Sequence, residues 1–284
     1  MATFYNQATL VYNGNTTTSN ITTGELLEVL SATKTAVVDR YIANDSITYI
    51  ISIINSGSTA FSNLTLTDDL GAYELGGLTL RPLTHVDDSV QYFVNGILQA
   101  TPAVAATAPL TITGISVPAN GNATIIYQTK TNEFTPLEAD ASITNTGIIS
   151  GNGLSTDLLV SDTIYADTSA VLTISKSIYP TTVTENGQIT YTFVIQNSGN
   201  TAATADDDIV VTDTFDPVLN AITVTFNGAA WSAPAHYVYS EATGVFSTVT
   251  GAITVPAATY TRDATTGAVT VNPGVSVLTV TGTI

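Results

Sequence analysis

Apolar and polar residues alternate along most of this chain with a period of two, which places residues i and i+2 on one face and specifies β-strands. Ile47-Thr-Tyr-Ile-Ile-Ser-Ile-Ile54 is the clearest run, set between turn signals at Asn44-Asp45 and Asn55-Ser-Gly57. Further strands are expected at Leu30–Val37, Leu64–Asp68, Ser89–Phe93 (ending at an Asn95-Gly96 turn), Leu110–Val117, Ala123–Thr129 and Ile143–Ser150. Pro82, Pro102, Pro109, Pro118 and Pro136 fall between them, where a missing N–H does least harm.

The pattern then repeats. Leu172-Thr-Ile-Ser-Lys176 matches Leu30–Lys34, Ile189–Gly199 matches Ile47–Gly57, and Val210–Phe215 matches Thr65–Leu70. A repeat of this size implies tandem domains, and many short strands separated by turns imply an all-β fold of two immunoglobulin-like sandwiches. The expected boundaries are 30–153 and 171–284, joined by a linker over 154–170.

One piece of the repeat is displaced. Phe4-Tyr-Asn-Gln-Ala-Thr-Leu-Val-Tyr-Asn-Gly14 carries the pattern of Ile143–Gly153, the closing strand of the first domain, with Asn6 on Asn145 and Leu10 on Ile149. Setting Pro273 on Pro118 brings Ile284 opposite Thr129, so the second domain is expected to lack everything from the equivalent of Lys130 onward. The expectation is that residues 1–14 form a donor strand, anchored by Phe4, Ala8, Leu10 and Tyr12 and followed by a polar connector over 15–29, that completes the second domain of a neighbouring molecule.

Composition narrows the possible functions. With 6 Lys and Arg against 23 Asp and Glu, a net charge of −17 argues against nucleic acid and anionic membranes. There is no Cys, which removes disulfides and thiolate metal sites. His85 and His236 are too few for a His-rich metal site, and Asp87-Asp88 and Asp206-Asp-Asp208 lack the spaced ligands of a calcium loop and read as solvated turns. No cofactor, Ser-His-Asp spacing or phosphate-binding glycine loop is expected. No basic region followed by an apolar run opens the sequence, and it carries no sorting tail, so a route outside without a secretory signal is expected.

The run Leu172–Lys176, then Ile189–Ala202, then Val210–Thr214 resembles the conserved repeat of bacterial surface proteins known as domain of unknown function eleven, and Ile143-Thr-Asn-Thr146 resembles its closing strand. Both repeats are also similar to the isopeptide-bonded sandwich domains of fimbriae and collagen adhesins. That resemblance implies a surface location and an amide between a first-strand Lys and a last-strand Asn, promoted by a buried acid.

The residues themselves lead to the same constellation. Lys34 shares a strand face with Leu30 and Ala32, and Lys176 with Leu172 and Ile174; Asp68 shares one with Leu64 and Leu66, Asp213 with Val211 and Phe215. Asn145 lies in phase with Ile143 and Ile149, and Asn6 with Phe4 and Leu10. Polar groups aimed at a core are costly unless they satisfy one another. Two readings stand side by side: a buried Lys–Asp ion pair with an Asn hydrogen bond, or an amide formed by Lys34 on Asn145 with Asp68 as proton shuttle, and by Lys176 with Asp213 on Asn6 of the next molecule. The function expected is a structural subunit that polymerises with itself, head to tail, into an extracellular or spore-surface filament. The alternative is a monomeric adhesin whose Trp231 and Tyr237 form a glycan- or protein-binding face.

Overall fold

A computed structural model describes residues 2–26 and 28–284. It is all-β apart from one short 3-10 turn at Ala205–Asp207 among the described residues.

The N-terminal arm holds β1 (Ala2–Asn6), β2 (Thr9–Tyr12), β3 (Asn15–Thr18) and β4 (Thr22–Leu26). β1 pairs antiparallel with β4, and β2 with β3. Asn13 and Gly14, at φ 48° and 78°, supply the two left-handed residues of a tight hairpin turn. Between the paired segments two residues, Gln7-Ala8, face three, Ser19-Asn20-Ile21, which makes a bulge on the return strand. Residues 15–26, expected within a connector, are therefore the second strand of a hairpin. The Thr-rich run lacks apolar alternation, but threonine is a good strand former and the Asn-Gly turn sets the pairing.

The described chain divides into two compact units, one running up to Asn132 and including Ile143–Ile164, the other comprising Glu133–Ser142 and Tyr165–Ile284. The first unit contains β5 (Leu30–Ala36), β6 (Arg40–Tyr41), β7 (Ser46–Asn55), β8 (Phe61–Asp68), β9 (Tyr73–Leu75), β10 (Leu78–Leu80), β11 (Leu83–His85), β12 (Gln91–Val94), β13 (Ile97–Leu98), β14 (Ala103–Thr107), β15 (Leu110–Val117), β16 (Gly121–Thr131), β17 (Ser142–Ser150) and β18 (Leu158–Ala166). One sheet runs β13-β12-β16-β7-β5 and the facing sheet β14-β15-β8-β17-β18-β6. Ile47, Tyr49, Ile51 and Ile53 from the first sheet and Leu64, Leu66, Leu110 and Ile112 from the second are buried, as strict alternation requires. Much of the span 154–170, expected as a linker, is β18; its Val160, Ile164 and Ala166 are buried.

The second unit contains β19 (Leu172–Tyr179), β20 (Gln188–Asn197), β21 (Thr212–Thr214), β22 (Asn220–Phe226), β23 (Ala229–Trp231), β24 (Tyr237–Tyr239), β25 (Val245–Thr248), β26 (Thr259–Arg262), β27 (Val269–Asn272) and β28 (Gly274–Thr283). Its sheet β19-β20-β28-β22-β23 repeats β5-β7-β16-β12-β13 strand for strand, and β21-β25-β24 repeats β8-β15-β14. The repeat extends to side chains. Asn55 caps a turn by donating to Thr59 O (2.8 Å) and Pro118 O (2.9 Å), and Asn197 donates to Thr201 O (2.7 Å) and Pro256 O (3.0 Å). Pro256, rather than Pro273, is thus the counterpart of Pro118, and the β26–β27 hairpin is an insertion after it. Gly121 pairs with Asn55 and Gly274 with Asn197, so Ile284 stands opposite Thr131, two residues beyond the expected position. The repeat can be followed to the equivalent of Thr131.

Among the described residues, the second unit has no counterpart of β17 or β18, and β21 is an edge strand. The consequence is visible in β19. Leu30 is 5% exposed, whereas its counterpart Leu172 is 37% exposed and Ile174 is 55% exposed. An unpaired edge beside exposed apolar side chains is a template for pairing with another chain.

Candidate functional site

The polar constellation of the first unit lies between its two sheets. Lys34 is on β5 opposite Ile51, Asp68 ends β8, and Asn145 is on β17. Lys34 Nζ is 2.5 Å from Asp68 Oδ2, and both side chains are fully buried. Asp68 also accepts from the Tyr127 hydroxyl at Oδ2 and from Leu70 N at Oδ1 (3.0 Å). Burial pushes the Lys34 pKa down against the attraction of Asp68, and it pushes the Tyr127 and Tyr49 phenols up.

Backbone bonds hold Asn145 in place. Gly147 pairs with Asp68 along the ladder, Thr146 N donates to Asp69 Oδ1 (2.9 Å), and Gly71 N donates to Asn145 Oδ1 (3.2 Å). Gly71, at φ 71°, passes so close to β17 that an added Cβ would lie 2.4 Å from Ile143 Cγ2. The Asn145 carbonyl is thus polarised by an N–H, while its buried Nδ2 lies toward the Tyr49 and Tyr127 phenols without a well-formed hydrogen bond. A buried amide so weakly satisfied is costly in a core.

Tyr49 and Tyr127 complete the site and are not among the residues singled out in the sequence. Their rings stack at 5.6 Å, and Lys34 Nζ lies 4.9 Å from the Tyr49 centroid. The signal was present: Tyr49 shares the inward phase of Ile47 and Ile51, and Tyr127 that of Ala123 and Ile125.

The second unit carries a partial copy. Lys176 hydrogen-bonds Asp213 and sits over the rings of Tyr191 (4.5 Å), Phe193 (5.5 Å) and Phe215 (5.5 Å). Sequence phase placed both polar groups in a core, but here the Lys176 side chain is 40% exposed and that of Asp213 17%. Among the described residues no strand in the position of β17 covers them. Tyr191 pairs with Val280 where Tyr49 pairs with Tyr127, so the second phenol is absent. Asn6 and the anchors Phe4, Ala8, Leu10 and Tyr12 lie on the arm, and all are exposed.

Elsewhere the chemistry is sparse. Trp231 stacks on Phe226 at 4.8 Å and on His236 at 5.2 Å, and Tyr237 is buried against Phe246, so neither offers an open aromatic face. Among the described residues no group of three His, Cys, Asp or Glu side chains is arranged to hold a metal, and no helix is long and apolar enough to cross a membrane.

No protein-family model matches the chain, that of the surface repeat included, and no curated protein matches it. Solved structures do. The major pilin subunit BcpA of Bacillus cereus aligns with a TM-score of 0.37 and 12% identity over 95% of this chain and 73% of that one. The full-length RrgB pilus protein of Streptococcus pneumoniae aligns at 0.35 and 12% over 89% and 41%. The collagen-binding domain of a Staphylococcus aureus adhesin aligns at 0.30 and 16% over 47% and 96%.

Proposed function

We propose that this chain is a structural subunit that polymerises with itself, head to tail, and that β1–β2 of one copy takes, in the second unit of the next, the position β17 holds in the first unit. One observation carries the reading: the second unit repeats β5-β7-β16-β12-β13 and β8-β15-β14, but among the described residues nothing pairs with β21 where β17 and then β18 follow β8 in the first unit, and the arm presents the β17 pattern exposed. Phe4, Asn6, Ala8 and Leu10 correspond to the buried-face positions Ile143, Asn145, Gly147 and Ile149. Donor and acceptor are different surfaces, so the contact is heterologous and propagates as a filament.

A Lys–Asp–Asn grouping would cross-link the first unit internally, and the one shared between neighbours would lock the assembly. Lys34 transfers a proton to Asp68, and the neutral amine attacks Cγ of Asn145, whose carbonyl the Gly71 N–H polarises. The Nζ–Cγ bond forms, Asp68 passes its proton to Nδ2, the Cγ–Nδ2 bond breaks and ammonia departs; the second proton left on Nζ then moves to Asp68, which ends protonated beside a neutral amide. A low-dielectric site favours that neutral pair over the ion pair. In the second unit Lys176 and Asp213 would act on Asn6 of the neighbour.

The location proposed is the cell or spore surface, for which antibody labelling of sporulating and vegetative cells is the test. The assembly itself is tested by deleting residues 1–26. Full-length protein should form filaments under the electron microscope and the deletion should remain soluble and monomeric. A deletion variant that polymerises like the full chain would refute donation by the arm.

A further inference from the structure

We infer that the acceptor is two strands wide and that the donor is the whole ribbon 2–26, docked as a preformed hairpin; this rests on the filament reading above. In the first unit, the space between β8 and β6 is filled by β17 and β18, neighbours in one sheet and consecutive in the chain. The counterpart of β6, Thr182-Val183, is in no strand, and Val183 packs at the margin of the second unit's core. The vacant width therefore runs from β21 to this segment, and it takes two strands.

The arm has the pairing of the piece it would replace. Ala166 N donates to Ala141 O (2.9 Å), and the hydroxyls of Thr144 and Thr163 meet at 2.8 Å, which fixes the β17–β18 register. In the arm, Ala2 pairs with Leu26 and Tyr5 with Thr23. With Tyr5 set on Thr144 and Thr23 on Thr163, Ala2 falls on Ala141 and Leu26 on Ala166. Phe4 and its partner Gly24 then fall on Ile143 and Ile164.

The side-chain volumes at that pair complement one another. Ile143 and Ile164 are both buried, at 2% and 0% exposure. In the arm, the Phe4 ring lies across Gly24 so closely that an added Cβ would stand 2.3 Å from it. One large ring over a bare glycine thus replaces two medium side chains. The backbone does not demand glycine here, because Gly24 is not among the positive-φ residues. Insertion of β1–β2 alone would break the β1–β4 and β2–β3 ladders, whereas docking the ribbon whole keeps them and adds new pairing on both sides. A free two-stranded ribbon is marginal in water, so docking would also be what fixes it.

Hydrogen exchange read by mass spectrometry on filaments and on monomers tests this. Amides of both 2–12 and 15–26 should become slow in filaments. Protection confined to 2–12 would overturn the two-strand donor and leave the filament standing; a full-length chain that never polymerises would remove both. Gly24→Val supplies an independent arm. It favours the strand but crowds the ring, so it should raise the concentration needed for polymerisation by about tenfold or more. Adding Phe4→Val, which restores two medium side chains, should recover most of that loss. Unchanged polymerisation of Gly24→Val, or a double variant as impaired as the single one, would overturn the inference.

Discussion

Phe4→Ala gives a quantitative test of the donor surface. Phe4 is 57% exposed on the free arm, and the position it would fill, that of Ile143, is 2% exposed. A phenylalanine offers about 200 Å² for burial, so docking removes roughly half of that, or ~110 Å², from water. At about 25 cal/mol per Å² this is worth ~2.8 kcal/mol. Alanine keeps a methyl group worth ~0.8 kcal/mol, leaving a loss of about 2 kcal/mol per junction, or roughly thirtyfold in the critical concentration for polymerisation. The comparison belongs in an Asn6→Ala background, where no junction amide can make assembly irreversible. Pelleting over a concentration series, with the supernatant quantified, gives the critical concentration directly. A ratio within twofold of unity would show that Phe4 remains exposed in the filament.

Other outcomes follow from the same geometry. Asp68→Ala strands a buried lysine and should destabilise the protein in urea by about 3–5 kcal/mol relative to Asn145→Ala, with neither variant losing ammonia in an intact-mass measurement; the double replacement Lys34→Met/Asp68→Leu should recover most of that stability. In Asn145→Ala, burial holds the Lys34 pKa below its usual 10.5. The unfolded chain then binds the extra proton, so stability should rise with pH between the lowered value and 10.5, whereas a wild-type chain carrying the amide should lack this slope. Ala8 takes the place of Gly147, where an added Cβ would meet Leu66 at 3.2 Å; the counterpart of Leu66 is the smaller Val211, so Ala8→Gly should polymerise and Ala8→Leu should not.

Period-two alternation made the strands, the repeat and the inward phase of Lys34, Asp68 and Asn145 legible in the sequence, because a buried face leaves no freedom of register. It did not reveal β3 and β4, whose threonines and polar neighbours carry no apolar stripe and whose pairing depends on the Asn13-Gly14 turn. Nor did it reveal that β26–β27 is an insertion: Pro273 resembles Pro118 locally, and only the clamp of Asn197 on the Pro256 carbonyl separates the two. Tyr49 and Tyr127 were visible as inward residues, but their convergence on Asp68 and Asn145 depends on how the two sheets face each other. The openness around Lys176 was foreshadowed by the missing strand, but the phase of Leu172, Ile174 and Lys176 points inward whether or not anything covers them.

The most direct measurement is a cryo-electron microscopy reconstruction of filaments grown from the purified chain, at a resolution that traces the backbone. Residues 2–12 of each subunit should lie antiparallel against Thr212–Thr214 of the next, with Asn6 facing Lys176. An arm found free in solvent, or seated on its own chain, or a chain that stays monomeric at every concentration, would contradict it.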